Sequence, residues 1–259
     1  MIVDTFMFND EFDMLDIRLA ITESYVDSWI ILEGNKTWSG IPKAYNLSLN
    51  LDRYTKYQDR ISIIKLDIPT DYVNWQCENY SRAALQHEIK KLNGQDIVLH
   101  GDLDEIIDPT KFDSIVTLMN QQNLPVSCSL EMFIYRFDQK TNRNWSGTVV
   151  AKKHMFDNPQ QLYKGANVKK KDRSHCVGYP GNAGWHWTWI GSDERIRNKV
   201  MSCIESQHRD PEQVLAAFKQ SDTASAINHK CTTSTIQVNY PDLVMRVLQQ
   251  YPQYWNIQS

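Results

Sequence analysis

The stretch that decides the reading is Asp96-Ile97-Val98-Leu99-His100-Gly101-Asp102-Leu103-Asp104-Glu105-Ile106-Ile107-Asp108-Pro109. Ile97, Val98 and Leu99 form an apolar run too short for a helix, which predicts a buried parallel strand. The run ends abruptly in carboxylates, so Asp102 and Asp104 lie just past the carboxyl end of that strand. In open α/β sheets this is the edge at which ligands bind. An Asp-x-Asp pair there offers hard oxygens to a divalent cation able to hold a diphosphate. The plainer reading is a surface turn, because Gly-Asp is common turn chemistry. Against it stands a third acid, Glu105, since crowded carboxylates repel unless a cation or cationic side chains offset them.

Upstream of this stretch the chain alternates strands and helices. Residues 2–8 predict a first strand, and Asn9 or Asp10 can cap a helix that carries Phe12, Leu15 and Leu19 on one face. Residues 29–32 form a second apolar run ending at Glu33, followed by a loop over 34–43. Residues 61–66 form a third. Strands separated by long or helical connections imply crossovers and a mostly parallel sheet. A helix over 75–92 precedes the central strand, with Glu78, Arg82, Leu85, Ile89 and Leu92 on one face. That helix must run back to the start of the 97–99 strand. Its first turns therefore sit beside Asp102, which brings Glu78 and Arg82 to the crevice. There Arg82 either pairs with Glu78 as an i, i+4 bridge or forks onto phosphate oxygens.

Downstream, a helix is predicted over 111–121 and strands over 126–137 and 148–152. A basic loop at 164–173 contains Lys169, Lys170 and Lys171, either a solvated face or an attraction for an anionic donor. The segment from Gly178 to Trp189 opens with turn chemistry at Gly178, Pro180 and Gly181. If the residues after that turn are extended, His186 and Thr188 share one face and Trp185, Trp187 and Trp189 the other. His186 is then either a satisfied buried histidine or a ligand. Helices are predicted over 193–206, after Pro211 and over 241–248.

Composition narrows the function classes. At 259 residues the chain can bury a full core, and a net charge of −3 argues against a general nucleic-acid binder. No apolar run approaches the roughly 20 residues needed to span a bilayer. Nor do the first residues read as a signal peptide, so a cytoplasmic location is expected. Five widely spaced cysteines, with no Cys-x-x-Cys pair, do not suggest a disulfide framework or a zinc cluster. Eight tryptophans and twelve tyrosines suit sugar rings and core packing equally well.

Taken in order, several blocks resemble glycosyltransferase family 17. They are Phe-Asn-Asp-Glu-Phe-Asp-Met-Leu-Asp-Ile-Arg-Leu from Phe8 to Leu19, Val26 to Glu33 with Gly40-Ile41-Pro42-Lys43, and Trp75 with Glu78 and Arg82. Asp102-Leu103-Asp104-Glu105-Ile106 and Gly184-Trp185-His186 complete the set. The resemblance implies a single GT-A type α/β domain over 1–259, with a nucleotide-sugar-binding half at 1–125 and an acceptor-side half with C-terminal helices at 126–259. It also implies a nucleotide-sugar donor such as UDP-N-acetylglucosamine, a glycan acceptor, Mn²⁺ or Mg²⁺, and transfer with inversion.

On that reading Asp102 and Asp104 hold the metal and His186 completes its ligands, with Gly178, Gly181 and Gly184 letting the His186 loop close over the donor. Arg82 and Lys43 assist the phosphates. Glu78, Asp10 and Glu33 stand near the donor, the last two as nucleoside or sugar contacts. Glu105, Glu131, Asp193 and Glu194 all qualify as the base that takes a proton from the acceptor. Two other readings use the same residues: a metal-dependent nucleotidyltransferase or pyrophosphohydrolase, and a non-catalytic carbohydrate-binding protein built on the tryptophans.

Overall fold

The computed structural model describes residues 1–156, 176–204, 208–220 and 232–256. The basic loop expected at 164–173 and the last residues of the helix expected at 193–206 lie outside the described residues.

Four apolar runs become adjacent parallel strands: β1 (Ile2–Phe8), β2 (Ser28–Gly34), β3 (Ile61–Leu66) and β4 (Ile97–His100). Parallel pairing requires crossover connections. They are supplied by α1 (Phe12–Thr22), by the short α2 (Asn46–Leu49) with a 3₁₀ segment at Leu51–Tyr57, and by α3 (Trp75–Ile89). β4 shows why its apolar run, 97–99, is unbroken by polar residues. Val98 packs with Leu85 and Ile89 of α3, whereas its neighbour Leu99 packs with Ile115 and Met119 of α4 (Phe112–Gln122) on the opposite face. Both faces are covered, so polar alternation has no place.

Beyond β4 the sheet becomes mixed. Its remaining strands are β5 (Glu105–Ile107), β6 (Val126–Ile134), β7 (Gln139–Lys152), β8 (Val177–Gly178), β9 (Gly184–Thr188) and β10 (Thr233–Thr235). The order is β3-β2-β1-β4-β7-β6-β9-β5, with β8 on β6 and β10 on β7. β7 runs antiparallel to β4 and β6, and β9 parallel to β6 but antiparallel to β5. Among the described residues three more α-helices follow β9: α5 (Asp193–Ser202), α6 (Pro211–Lys219) and α7 (Asp242–Leu248). Val244 and Leu248 of α7 share a core with Leu15 and Leu19 of α1, closing the C-terminal end of the chain onto its first crossover. Among the described residues no helix is long and apolar enough to cross a membrane.

Two expectations are corrected. The strand expected at 148–152 begins at Gln139, because the polar stretch 139–147 is held by its ladder to β6 rather than by an apolar face. Alternation also fails at Trp189, which leaves the strand with φ of 59° and turns away from the Trp185 and Trp187 side. Trp185 and Trp187 stack at 5.3 Å within the core as expected of one face.

Candidate functional site

A crevice of about 450 Å³ opens at the carboxyl edge of β1, β2 and β4. Its walls include Asn9 and Glu11 after β1, Lys36 and Lys43 after β2, Glu78 and Arg82 of α3, and Asp102 and Asp104 after β4. The second half of the chain contributes Trp145, His186, Thr188 and Trp189, with Arg195 and Lys199 from α5. Antiparallel β5 and β9 set Glu105 directly opposite His186, which carries the Gly-Trp-His block to the acidic motif. Gly184 permits that approach, because a Cβ there would collide with the Ile106 carbonyl oxygen. The glycine expected as a hinge is therefore a close contact between strands.

The two aspartates have different partners. Asp102 Oδ1 lies 3.2 Å from Arg82 Nη2, and Arg82 Nε donates to Glu78 Oε1 at 2.8 Å, so Arg82 joins α3 to the motif. Asp104 presents Oδ1 to His186 Nε2 and Oδ2 to Lys199 Nζ, each at 3.4 Å. Burial alone would raise the Asp104 carboxyl, yet Lys199 and His186 outweigh it and hold Asp104 well below the usual carboxylate range. Burial likewise works against charge on His186, but the facing Asp104 raises it above an ordinary histidine. The imidazole lies 4.9 Å from the Trp145 ring, and its buried Nδ1 has no hydrogen-bond partner among the described residues. It is not the satisfied core histidine of the plainer reading.

Among the described residues no three His, Cys, Asp or Glu side chains are grouped closely enough to hold a metal by themselves. Asp104 and His186 do offer an oxygen and a nitrogen 3.4 Å apart. Adjacent ligands on an octahedral ion with bonds of about 2.0–2.1 Å are separated by roughly 3 Å, and such ions commonly take their other ligands from water and substrate phosphates. The pair is spaced close to two adjacent ligands of such an ion.

Beneath the motif, Glu105 is fully buried. Its Oε1 accepts from Trp145 Nε1 at 2.6 Å and its Oε2 from the Asp102 backbone N–H at 3.1 Å. Gly147 makes room for it, since a Cβ at that position would lie 2.6 Å from the carboxyl carbon. Burial pushes the Glu105 carboxyl up to about 7, with Asp102 adding to the effect.

Other expected residues fall elsewhere. Glu105, Glu131 and Asp193, the expected bases, do not line the crevice. Glu131 pairs with Lys140 at 2.5 Å and Asp193 with Lys219 at 2.7 Å, while Glu194 is exposed. Asp10 and Glu33 are also off the crevice wall. The Glu33 carboxylate accepts from the Leu47 and Ser48 N–H groups at the start of α2, and Asp10 accepts from Lys43 and Asn46. Both carboxylates order the loop that presents Lys43, which does line the crevice.

Several site residues carried signals that the sequence reading passed over. Arg18 lies three residues after Leu15, on the buried face of α1, and Asp4 is a charged residue inside the mostly apolar strand β1. Opposite charges in two buried elements point to a pair. Arg195 and Lys199 lie one turn apart on α5, whose sequence looks solvent-facing, and only the fold turns them to the crevice.

The parallel strands of this mixed α/β sheet bring acids and cations together at their carboxyl edge. The chain belongs to glycosyltransferase family 17, whose family model matches residues 1–213. It is an enzyme of the glycosyl-transferring kind. No curated protein matches the chain. Solved structures with similarity include the 4-diphosphocytidyl-2C-methyl-D-erythritol synthase of Anaerococcus prevotii DSM 20548, at 12% identity over 69% of this chain and 86% of that one, with TM-score 0.41. A putative glucose-1-phosphate thymidylyltransferase from Bacillus anthracis aligns at 8% identity over 94% and 98%, with TM-score 0.41. The glycosyltransferase GlyE of Streptococcus pneumoniae TIGR4 aligns at 10% identity over 69% and 45%, with TM-score 0.30.

Proposed function

We propose that this protein is a metal-dependent inverting glycosyltransferase that moves N-acetylglucosamine or another hexose from a UDP-linked donor to a glycan hydroxyl. The observation that carries the reading is the Asp104 and His186 pair, flanked by cationic side chains at the carboxyl edge of parallel strands. Asp104 and His186 would hold Mn²⁺ or Mg²⁺, with Asp102 beside them under the control of Arg82. The ion supplies positive charge to the leaving diphosphate. Arg82 and Lys43 present donors to the same phosphates from α3 and from the loop after β2. Trp145 and Trp189 edge the crevice on the side built by the second half of the chain. Trp145 also screens the imidazole of His186 from solvent on one side.

A donor screen tests this reading. Nucleotide sugars of several bases and sugars are offered to the full chain with Mn²⁺, and slow donor hydrolysis is read as release of nucleoside diphosphate. Selective hydrolysis of one UDP-sugar, lost in Asp104→Asn, is expected. Indifference of every donor to the protein contradicts it.

A further inference from the structure

The crevice holds a charged group that the proposed chemistry does not yet use. Lys199 projects from α5 to place its ammonium 3.4 Å from Asp104 Oδ2, 3.2 Å from Glu11 Oε1 and 5.4 Å from the centre of the Trp189 ring. Glu11 is also shared with Arg195, whose Nη2 lies 2.5 Å away. The end of α5 is tied to the other wall as well, through Ser202 to Asn9 and to the Ser39 backbone N–H. Helix α5 therefore spans the crevice, and Lys199 places positive charge on the same carboxylate that would bind a divalent ion.

Charge counting gives this placement a consequence. Five lysine and arginine side chains and four carboxylates line the crevice, a surplus of one positive charge. A divalent ion entering alone raises that surplus to three, next to an ammonium already on Asp104. The diphosphate of a sugar nucleotide brings two negative charges, so ion and diphosphate together leave the surplus unchanged. Lys199 has a flexible four-carbon stem that can leave a carboxylate for a phosphate oxygen, and Glu11 still faces it if Asp104 turns to the ion.

Resting on the metal reading above, we infer that Lys199 is a resident cation that competes with the divalent ion for Asp104, yielding this carboxylate only when a diphosphate accepts its ammonium. Ion and nucleotide are then positively coupled, and coupling in binding is reciprocal.

The test uses the full chain in four forms: wild type, Lys199→Met, Lys199→Gln and Asp104→Asn. Bound Mn²⁺ is counted by electron paramagnetic resonance without nucleotide, and UDP binding is measured by calorimetry without metal. Thermal unfolding selects whichever Lys199 variant retains the fold. Removing the ammonium should tighten Mn²⁺ alone by about tenfold and weaken UDP alone by about as much, with the coupling between them reduced. A merely structural lysine would weaken both. Unchanged or weaker Mn²⁺ binding in the Lys199 variants overturns the inference, and the metal reading survives if UDP-dependent Mn²⁺ binding to wild type is lost in Asp104→Asn. If Mn²⁺ binds no form through Asp104, even with UDP present, both fail together.

Discussion

Arg18 grips Asp4 in a two-point ion pair, with Nε and Nη2 each 2.7 Å from a separate carboxylate oxygen, and both side chains are buried. The remaining nitrogen, Nη1, donates to the carbonyls of Asp102, Leu103 and Glu105. One guanidinium thus fixes the acidic loop to β1 from below. The pair predicts that Asp4→Asn, which leaves a buried charge uncompensated, costs about 3–5 kcal/mol in urea unfolding. Arg18→Lys should retain more stability but release the loop carbonyls, and so raise the metal concentration needed for half-maximal donor turnover. Near-neutral unfolding of Asp4→Asn would contradict the geometry.

Glu105 predicts a second effect. Its two oxygens each accept an N–H, from Trp145 and from Asp102. A carboxyl group can accept on both oxygens, whereas an amide accepts on one and must turn its NH₂ against the other donor. Glu105→Gln should therefore destabilise by about 1–3 kcal/mol, and fluorescence of Trp145 should change with it. Equal stability would mean that these bonds do not support the loop.

Two buried groups of opposite sense, His100 and Glu105, contribute to the pH dependence of stability. Burial lowers the His100 ring to about 3, and its Nδ1 lies 3.0 Å from Thr5 Oγ1. A histidine depressed on folding contributes stability that is full above its unfolded value of about 6.5 and is lost as pH falls toward 3. Glu105, raised on folding, contributes stability that is full below about 4.5 and is lost as pH rises through about 7. Their slopes oppose each other between about 4.5 and 6.5. Below that window the His100 contribution is lost as pH falls, joined by that of the depressed Asp104 carboxyl once pH passes its ordinary value of about 3.8, so His100→Asn should make the acid limb of a thermal-unfolding profile shallower. An unchanged acid limb would contradict the assignment.

Arg82 separates a structural role from a phosphate role. It bridges Glu78 and Asp102 while lining the crevice. Lysine can keep one ion pair but cannot reproduce a planar two-point contact. Arg82→Lys should weaken donor binding several-fold with little change in unfolding. Donor affinity equal to wild type would confine Arg82 to holding α3 against the motif.

The parts of this site that could be read in the sequence are those set by local pattern. The apolar run 97–99 ending in acids gave the crevice edge, and the helical register of Glu78 with Arg82 gave their common face. The extended segment put His186 and Thr188 on one face, while a ligand role for His186 came from the Gly184-Trp185-His186 block of the family resemblance. What could not be read depends on pairing between distant strands. β5 has only three residues, and nothing local says that Glu105 faces inward onto Trp145 rather than outward as a base. Glu33 and Asp10 sit at strand ends as expected, yet a neighbouring short helix and lysine take their oxygens. Lys199 and Arg195 are ordinary residues of a polar helix until α5 crosses the crevice.

The most direct measurement of the central claim is phosphorus NMR of a donor sugar nucleotide incubated with the protein, with and without glycan acceptors and a metal chelator. Nucleoside diphosphate should accumulate rapidly only when acceptor and Mn²⁺ or Mg²⁺ are both present. Asp104→Asn should slow that release by about 10²- to 10⁴-fold, corresponding to several kcal/mol of lost transition-state stabilisation. Full turnover in excess chelator, or products that are nucleoside monophosphate or pyrophosphate, would contradict metal-dependent glycosyl transfer at Asp104 and His186.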